Sequence, residues 1–149
     1  MSKSCFLFGH RDTPQGILPA LENAVLRHYL SCGVRNFYVG NRGDFDRLAT
    51  TALRRIKEEY ADIRLFLLLA YHPAERSVVL PDGFDSTYYP PLENTPRQYA
   101  IIKSNRYMVK YADTIICYVK HIGNGRNLLE YAKSRKDPVV YIENLAEYP

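Results

Sequence analysis

Four short segments gather the residues best suited to grip a charged ligand: GHRD at 9–12, GNRGD at 40–44, SNR at 104–106 and GNGRN at 123–127. Glycine lets a ligand approach the backbone closely. An arginine guanidinium matches phosphate or carboxylate oxygens with its planar fork. The first segment supplies Gly9, His10 and Arg11, the second Gly40, Asn41, Arg42 and Gly43. The fourth adds Gly123, Asn124 and Gly125, at the start of a helix whose free amides and dipole favour an anion. Together they read as the walls of a phosphate or nucleotide pocket. His10 has a second reading as a hydrogen-bonded structural residue at a strand end.

Three further groups carry open alternatives. Asp44 and Asp46 suit ribose hydroxyls, although Asp44 also stands where an N-cap belongs. Asn105 falls on the inward stripe of its helix and needs a polar partner, which the glycine turns would supply; Arg106 then stands at the same edge or on a solvated face. Glu130, one turn beyond GNG, is placed to act as general acid or base on a glycosidic bond or to hold a sugar hydroxyl. The plainer reading is an exposed glutamate near a helix start.

The elements that must position these groups alternate along the chain. CFLFG (5–9), NFYVG (36–40), IRLFLLLA (63–70), DTIICYV (113–119) and PVVYI (138–142) are apolar, β-branched runs of strand length. Between them, 17–32, 44–60, 97–111 and 127–134 carry helical periodicity. In the second, Phe45, Leu48, Ala49, Ala52, Leu53 and Ile56 make one clean face. In the third, Ile101, Ile102, Met108, Val109 and Ala112 are expected to point inward. The expectation is a single Rossmann-like α/β domain over 1–149, with helices on both faces of a five-stranded, mainly parallel sheet. The turns leaving the strands' carboxyl ends then share one edge, where ligands bind in such sheets. The connection at 71–96 holds five prolines and reads as a loop: an excursion without a role, or a lid or subunit contact carrying Tyr88 and Tyr89.

Composition sets the outer limits. A hydrophobic fraction of 46% and a charged fraction of 24% suit a soluble globular protein. No apolar run is long enough to span a bilayer, and none reads as a signal peptide. The three cysteines, Cys5, Cys32 and Cys117, lack paired spacing and read as reduced thiols of a cytoplasmic protein. A net charge of +4 admits an anionic ligand without demanding a nucleic acid. No cofactor and no metal are implied, since no cluster has ligand spacing.

FGHR, YVGNRGDFDRLA, NRYMVKYAD and HIGNGRNLLEYAK, in this order, resemble the SLOG superfamily. These Rossmann-like domains include the DNA processing protein A core and the "lonely guy" phosphoribohydrolases. The resemblance covers essentially the whole chain and is nearest to small bacterial and phage-borne SLOG proteins. It implies a nucleotide or nucleotide-derived ligand at Gly9, His10, Arg11, Gly40, Gly43 and Gly123 to Gly125, and a homo-oligomer. If the chain shares the hydrolases' P-G-G-x-G-T-x-x-E motif, Glu130 corresponds to its catalytic glutamate, with Asn124, Arg126 and Asn127 in place of glycine, glycine and threonine. The hydrolases' arginine has Ser104 in its place. The alternative implied by the resemblance is a single-stranded nucleic-acid module, with Arg11, Arg42, Lys120 and Arg126 on phosphates.

Overall fold

The structure is a computed structural model that describes residues 2–92, 94–135 and 141–147. It is an α/β domain built on a parallel sheet flanked by helices. The strands are β1 (Lys3–Gly9), β2 (Val34–Val39), β3 (Arg64–Leu68), β4 (Ser86–Tyr88), β5 (Thr114–Tyr118) and β6 (Tyr141–Asn144). The helices are α1 (Leu18–Cys32), α2 (Asp44–Glu59), α3 (Ala100–Tyr111) and α4 (Asn124–Lys133). Strands run in the order β4-β3-β2-β1-β5-β6, and every pairing is parallel.

Among the described residues the sheet has six strands rather than the expected five. The added strand, β4, lies inside the proline-rich connection and pairs Phe66 with Ser86 and Leu68 with Tyr88. The Leu69 amide extends this pairing by donating to the Tyr88 carbonyl at 2.9 Å. Asp85 anchors the segment just before it, accepting from the Leu65 amide at 2.8 Å and the Lys57 ammonium at 2.7 Å. Residues 138–140 of the expected last strand lie outside the described residues.

Strand side chains alternate between two cores. Cys5 and Leu7 of β1 face α1 and α2 with Phe45, Leu48, Ala52 and Leu53, whereas Phe6 and Phe8 face α3 and α4 with Met108, Leu128 and Leu129. Burial pushes the Cys5 and Cys117 thiols up to about 12, so both stay protonated and unreactive. A buried polar array joins α1 to the sheet. His28 bonds Thr114 Oγ1 at 2.9 Å and Glu143 at 3.0 Å, while Arg27 pairs with the other Glu143 oxygen.

The stripe of α3 runs through Ala100, Ser104, Met108 and Val109, with Ala112 buried just past its end. Ile102, expected inside, is 46% exposed, and Asn105 is half-buried one position off the stripe. Helix α4 starts at Asn124 rather than Asn127, capped by Gly123. Among the described residues no helix is long and apolar enough to cross a membrane.

Candidate functional site

Strand order reverses between β1 and β5, and the turns leaving these strands open a crevice there. A cavity of about 520 Å³ fills it, on the face carrying α3 and α4. Phe6, Phe8, Leu68, Ile101 and Leu128 give it an apolar floor. Gly9, His10, Arg11, Gly40, Arg42, Asp46, Asn105, Gly123, Asn124 and Gly125 line it as well, so ten of the residues singled out in the sequence meet there.

Asn41, Gly43, Asp44, Arg106 and Glu130 do not line it. Asn41 is exposed beside it. Gly43 packs against the neighbouring turn: a Cβ there would stand 2.7 Å from the Arg11 Cα. Its φ of 95° adds a backbone conformation that disfavours side chains. Asp44 is not the N-cap but the first residue of α2, paired with Arg47 at 3.6 Å. Arg106 stacks its guanidinium 4.8 Å from the Tyr131 ring centroid, on the outside of α3. Glu130 lies on the solvent face of α4, its side chain 61% exposed and 3.9 Å from Arg126, because Leu128, Leu129 and Ala132 take the inner face.

The two glycine turns at helix starts therefore differ in kind. At α2 the first amides are already satisfied: Asp44 donates to the Arg11 carbonyl at 2.9 Å and Phe45 to the His10 carbonyl at 3.3 Å. That turn is closed by protein. At α4 no side chain caps the helix, and the N–H groups of Asn124, Gly125 and Arg126 have no partner among the described residues. Gly123, with φ 152° and open space around its α-carbon, turns the chain so that Asn124 and Gly125 stand at the cavity.

His10 joins the two strand ends. Its buried ring accepts at Nε2 from the amides of Lys120 (2.8 Å) and His121 (3.2 Å). Amides can only donate, so Nε2 carries no proton and the hydrogen sits on Nδ1, 3.4 Å from where a Gly125 Cβ would be. Burial, with His121 nearby, holds His10 below the ordinary histidine range. His121 is held above it by the Ile122 carbonyl and the Asp12 carboxylate. The two rings stack flat, 3.7 Å apart at 8°.

The fold thus assembles His10, Asp12 and His121, three groups with no ligand spacing in the sequence, with donor atoms within 4.8 Å of one another. Parallel stacked rings direct their in-plane lone pairs side by side rather than at one point, and His10 Nε2 is already engaged. The trio is built as an ion-paired stack.

Asp46 is the residue whose importance its sequence position understates. It lines the cavity, accepts from the Arg42 amide at 2.8 Å through Oδ2, and fits only because Gly40 carries no side chain, a Cβ there lying 3.0 Å from that oxygen. Burial pushes its carboxyl up to about 7, against the opposing pull of Arg42 and Arg11. A helix-start aspartate one turn from a glycine is the only signal in the sequence, and it is shared by ordinary caps. Asn105 bonds no described residue, contrary to the expectation that it ties down the turns, so its amide remains available at the cavity wall. Asn144, not singled out in the sequence, steadies the β5 exit by accepting from the Val119 amide and donating to the Val119 carbonyl, both at 3.0 Å.

Compared with known proteins, the chain matches no family model, and no curated protein matches it either.

Proposed function

We propose that the chain is a SLOG-type domain that binds a nucleotide or nucleotide-derived anion in the cavity at the β1/β5 crevice. The carrying observation is the row of unmet amides opening α4, which faces the same cavity as Arg11, Arg42 and the His10 Nδ1–H. Donors and cations at one end and an apolar floor at the other suit a phosphate joined to a flat base. Isothermal titration against nucleoside monophosphates tests this. A monophosphate binds, and Arg11→Gln weakens it by about tenfold or more, the worth of one charge-assisted hydrogen bond. Absence of binding across the common bases ends the proposal. Binding confined to single-stranded oligonucleotides and lost steeply with salt supports the nucleic-acid reading instead.

Asp46 favours a second, enzymatic reading in which the cavity hydrolyses an N-glycosidic bond. A carboxyl protonated near neutrality can give its proton to the departing base, while water adds to the anomeric carbon and the C–N bond breaks. Glu130 points away from the cavity and is a poor candidate for that step. Chromatography of monophosphate incubations is expected to show free base with wild type and Glu130→Gln, and none with Asp46→Asn. No base from wild type removes the enzymatic reading and leaves binding intact.

A further inference from the structure

Three arginines surround a single tyrosine at the edge of the cavity. The guanidinium carbons of Arg76, Arg97 and Arg42 stand 4.5, 5.2 and 5.5 Å from the centroid of the Tyr71 ring. Arg42 belongs to both groups, since it also lines the cavity beside Arg11, and Gln98, next to Arg97, lines it too. None of the four guanidiniums has a carboxylate within ion-pair distance among the described residues. By contrast Arg27, Arg35, Arg47, Arg55 and Arg126 all do.

Three like charges thus gather around one ring, and a fourth, Arg11, shares the cavity with one of them. The tyrosine face offsets part of their repulsion, because each guanidinium is drawn to the ring's negative face. It supplies no acceptor for their N–H groups. The missing element is an extended anion with oxygens spread over more than one centre, which guanidinium forks bind well. The supports are fixed. Tyr71 follows directly on the β3 exit, Arg97 opens the turn leading into α3, and Arg76 sits in a turn whose amide bonds the His72 carbonyl at 3.2 Å.

Resting on the nucleotide reading above, we infer that the natural ligand carries at least two phosphates. It is a nucleoside di- or triphosphate, or a nucleotide with a pyrophosphate link, whose proximal phosphate lies at the α4 amides and Arg11. The distal phosphate lies on the arc of Arg42, Arg76 and Arg97. The proline-rich excursion then contributes Tyr71 and Arg76 to the distal half of the anion site, and a monophosphate leaves that half empty.

Titration calorimetry with AMP, ADP, GMP and GDP, in EDTA to keep metal off the phosphates, tests the assignment. For the base that binds, the diphosphate is expected to bind about tenfold or more tighter than its monophosphate, the value of one or more added charge-assisted contacts. In R76Q/R97Q the monophosphate affinity stays within about twofold of wild type and the diphosphate advantage disappears. R76K/R97K keeps part of that advantage, which separates lost charge from a disturbed loop. K3Q/R64Q, which removes the same charge where β1 and β3 begin at the opposite edge of the sheet, keeps all of it. Equal binding of mono- and diphosphate by wild type overturns this inference and leaves the nucleotide reading standing. An advantage that survives in R76Q/R97Q, or is lost equally in K3Q/R64Q, overturns the arc. Failure of all four, and of the cytidine and uridine mono- and diphosphates, to bind removes both.

Discussion

Asp46→Asn is expected to make the protein more stable at neutral and alkaline pH and to change little in acid. In the folded chain Asp46 keeps its proton until about pH 7, because burial at the cavity wall penalises the anion. In the unfolded chain the same group ionises near its ordinary value of 3.8. Between those two values the folded state binds more protons, so wild-type stability from this group is fully present below pH 3.8 and drains away as pH rises towards 7. A rise from 3.8 to about 7, at about 1.4 kcal/mol per pH unit, sets a ceiling of about 4 kcal/mol. Asparagine is nearly isosteric, never ionises, and its Oδ1 can still accept from the Arg42 amide. The difference between variant and wild type should therefore be near zero at pH 4, climb through pH 5 and 6, and level off above 7. For a chain of this length the ceiling corresponds to a rise of about 8–16 °C in melting temperature. Urea unfolding of both proteins at five pH values from 4 to 8.5 measures it. His10 and His28, which lose stability in acid because burial holds them neutral, contribute to both proteins and cancel in the difference. A difference that stays flat across the range refutes the claim that Asp46 is buried as an acid.

Three other expectations concern stability. Gly43→Ala forces a Cβ to within 2.7 Å of the Arg11 backbone at a φ of 95°, and should cost about 2 kcal/mol or more in urea unfolding. Gly16→Ala, which meets nothing within 4 Å, is the neutral comparison. Glu143→Ala leaves the buried His28 ring without its acceptor beside a void and should destabilise by about 1–3 kcal/mol in the same assay. Asp85→Ala removes the acceptor for Lys57 and the Leu65 amide, costs about 1–3 kcal/mol, and should speed limited proteolysis within 71–96 ahead of the rest of the chain.

The alternation of helix and strand was legible because it rests on local periodicity: each α2 position expected inside, from Phe45 to Ile56, is buried. The crevice was legible for a related reason, since a parallel sheet brings the turns after its strands to one edge whatever their sequences. What escaped depends on contacts between distant residues. Strand β4 has three residues and no periodicity of its own; its extended shape comes from Phe66, Leu67 and Leu68, some 20 residues earlier in the chain. The surplus of glycine in GNRG looked like room for a ligand, yet Gly43 makes room for Arg11 and Gly40 for Asp46. Only the packed structure distinguishes a glycine that admits a ligand from one that admits its neighbour. Glu130 and Arg106, each left with two placements by the sequence, take the outward one because helix phase gives the inner face to the residues beside them.

Strand β4 gives the excursion an engineering consequence. The chain departs the sheet after Leu68 and rejoins it at Ser86, one strand further out, so both junctions are secured by backbone ladder bonds and by Asp85. The exposed Val79 and Leu80 stand between those fixed points like a replaceable cassette, ahead of the turn that the Phe84 amide closes on the Pro81 carbonyl. A fluorophore or a short epitope grafted there would sit just ahead of Gly83, whose carbonyl Lys57 of α2 holds at 3.0 Å, and would leave the sheet and the crevice as they are.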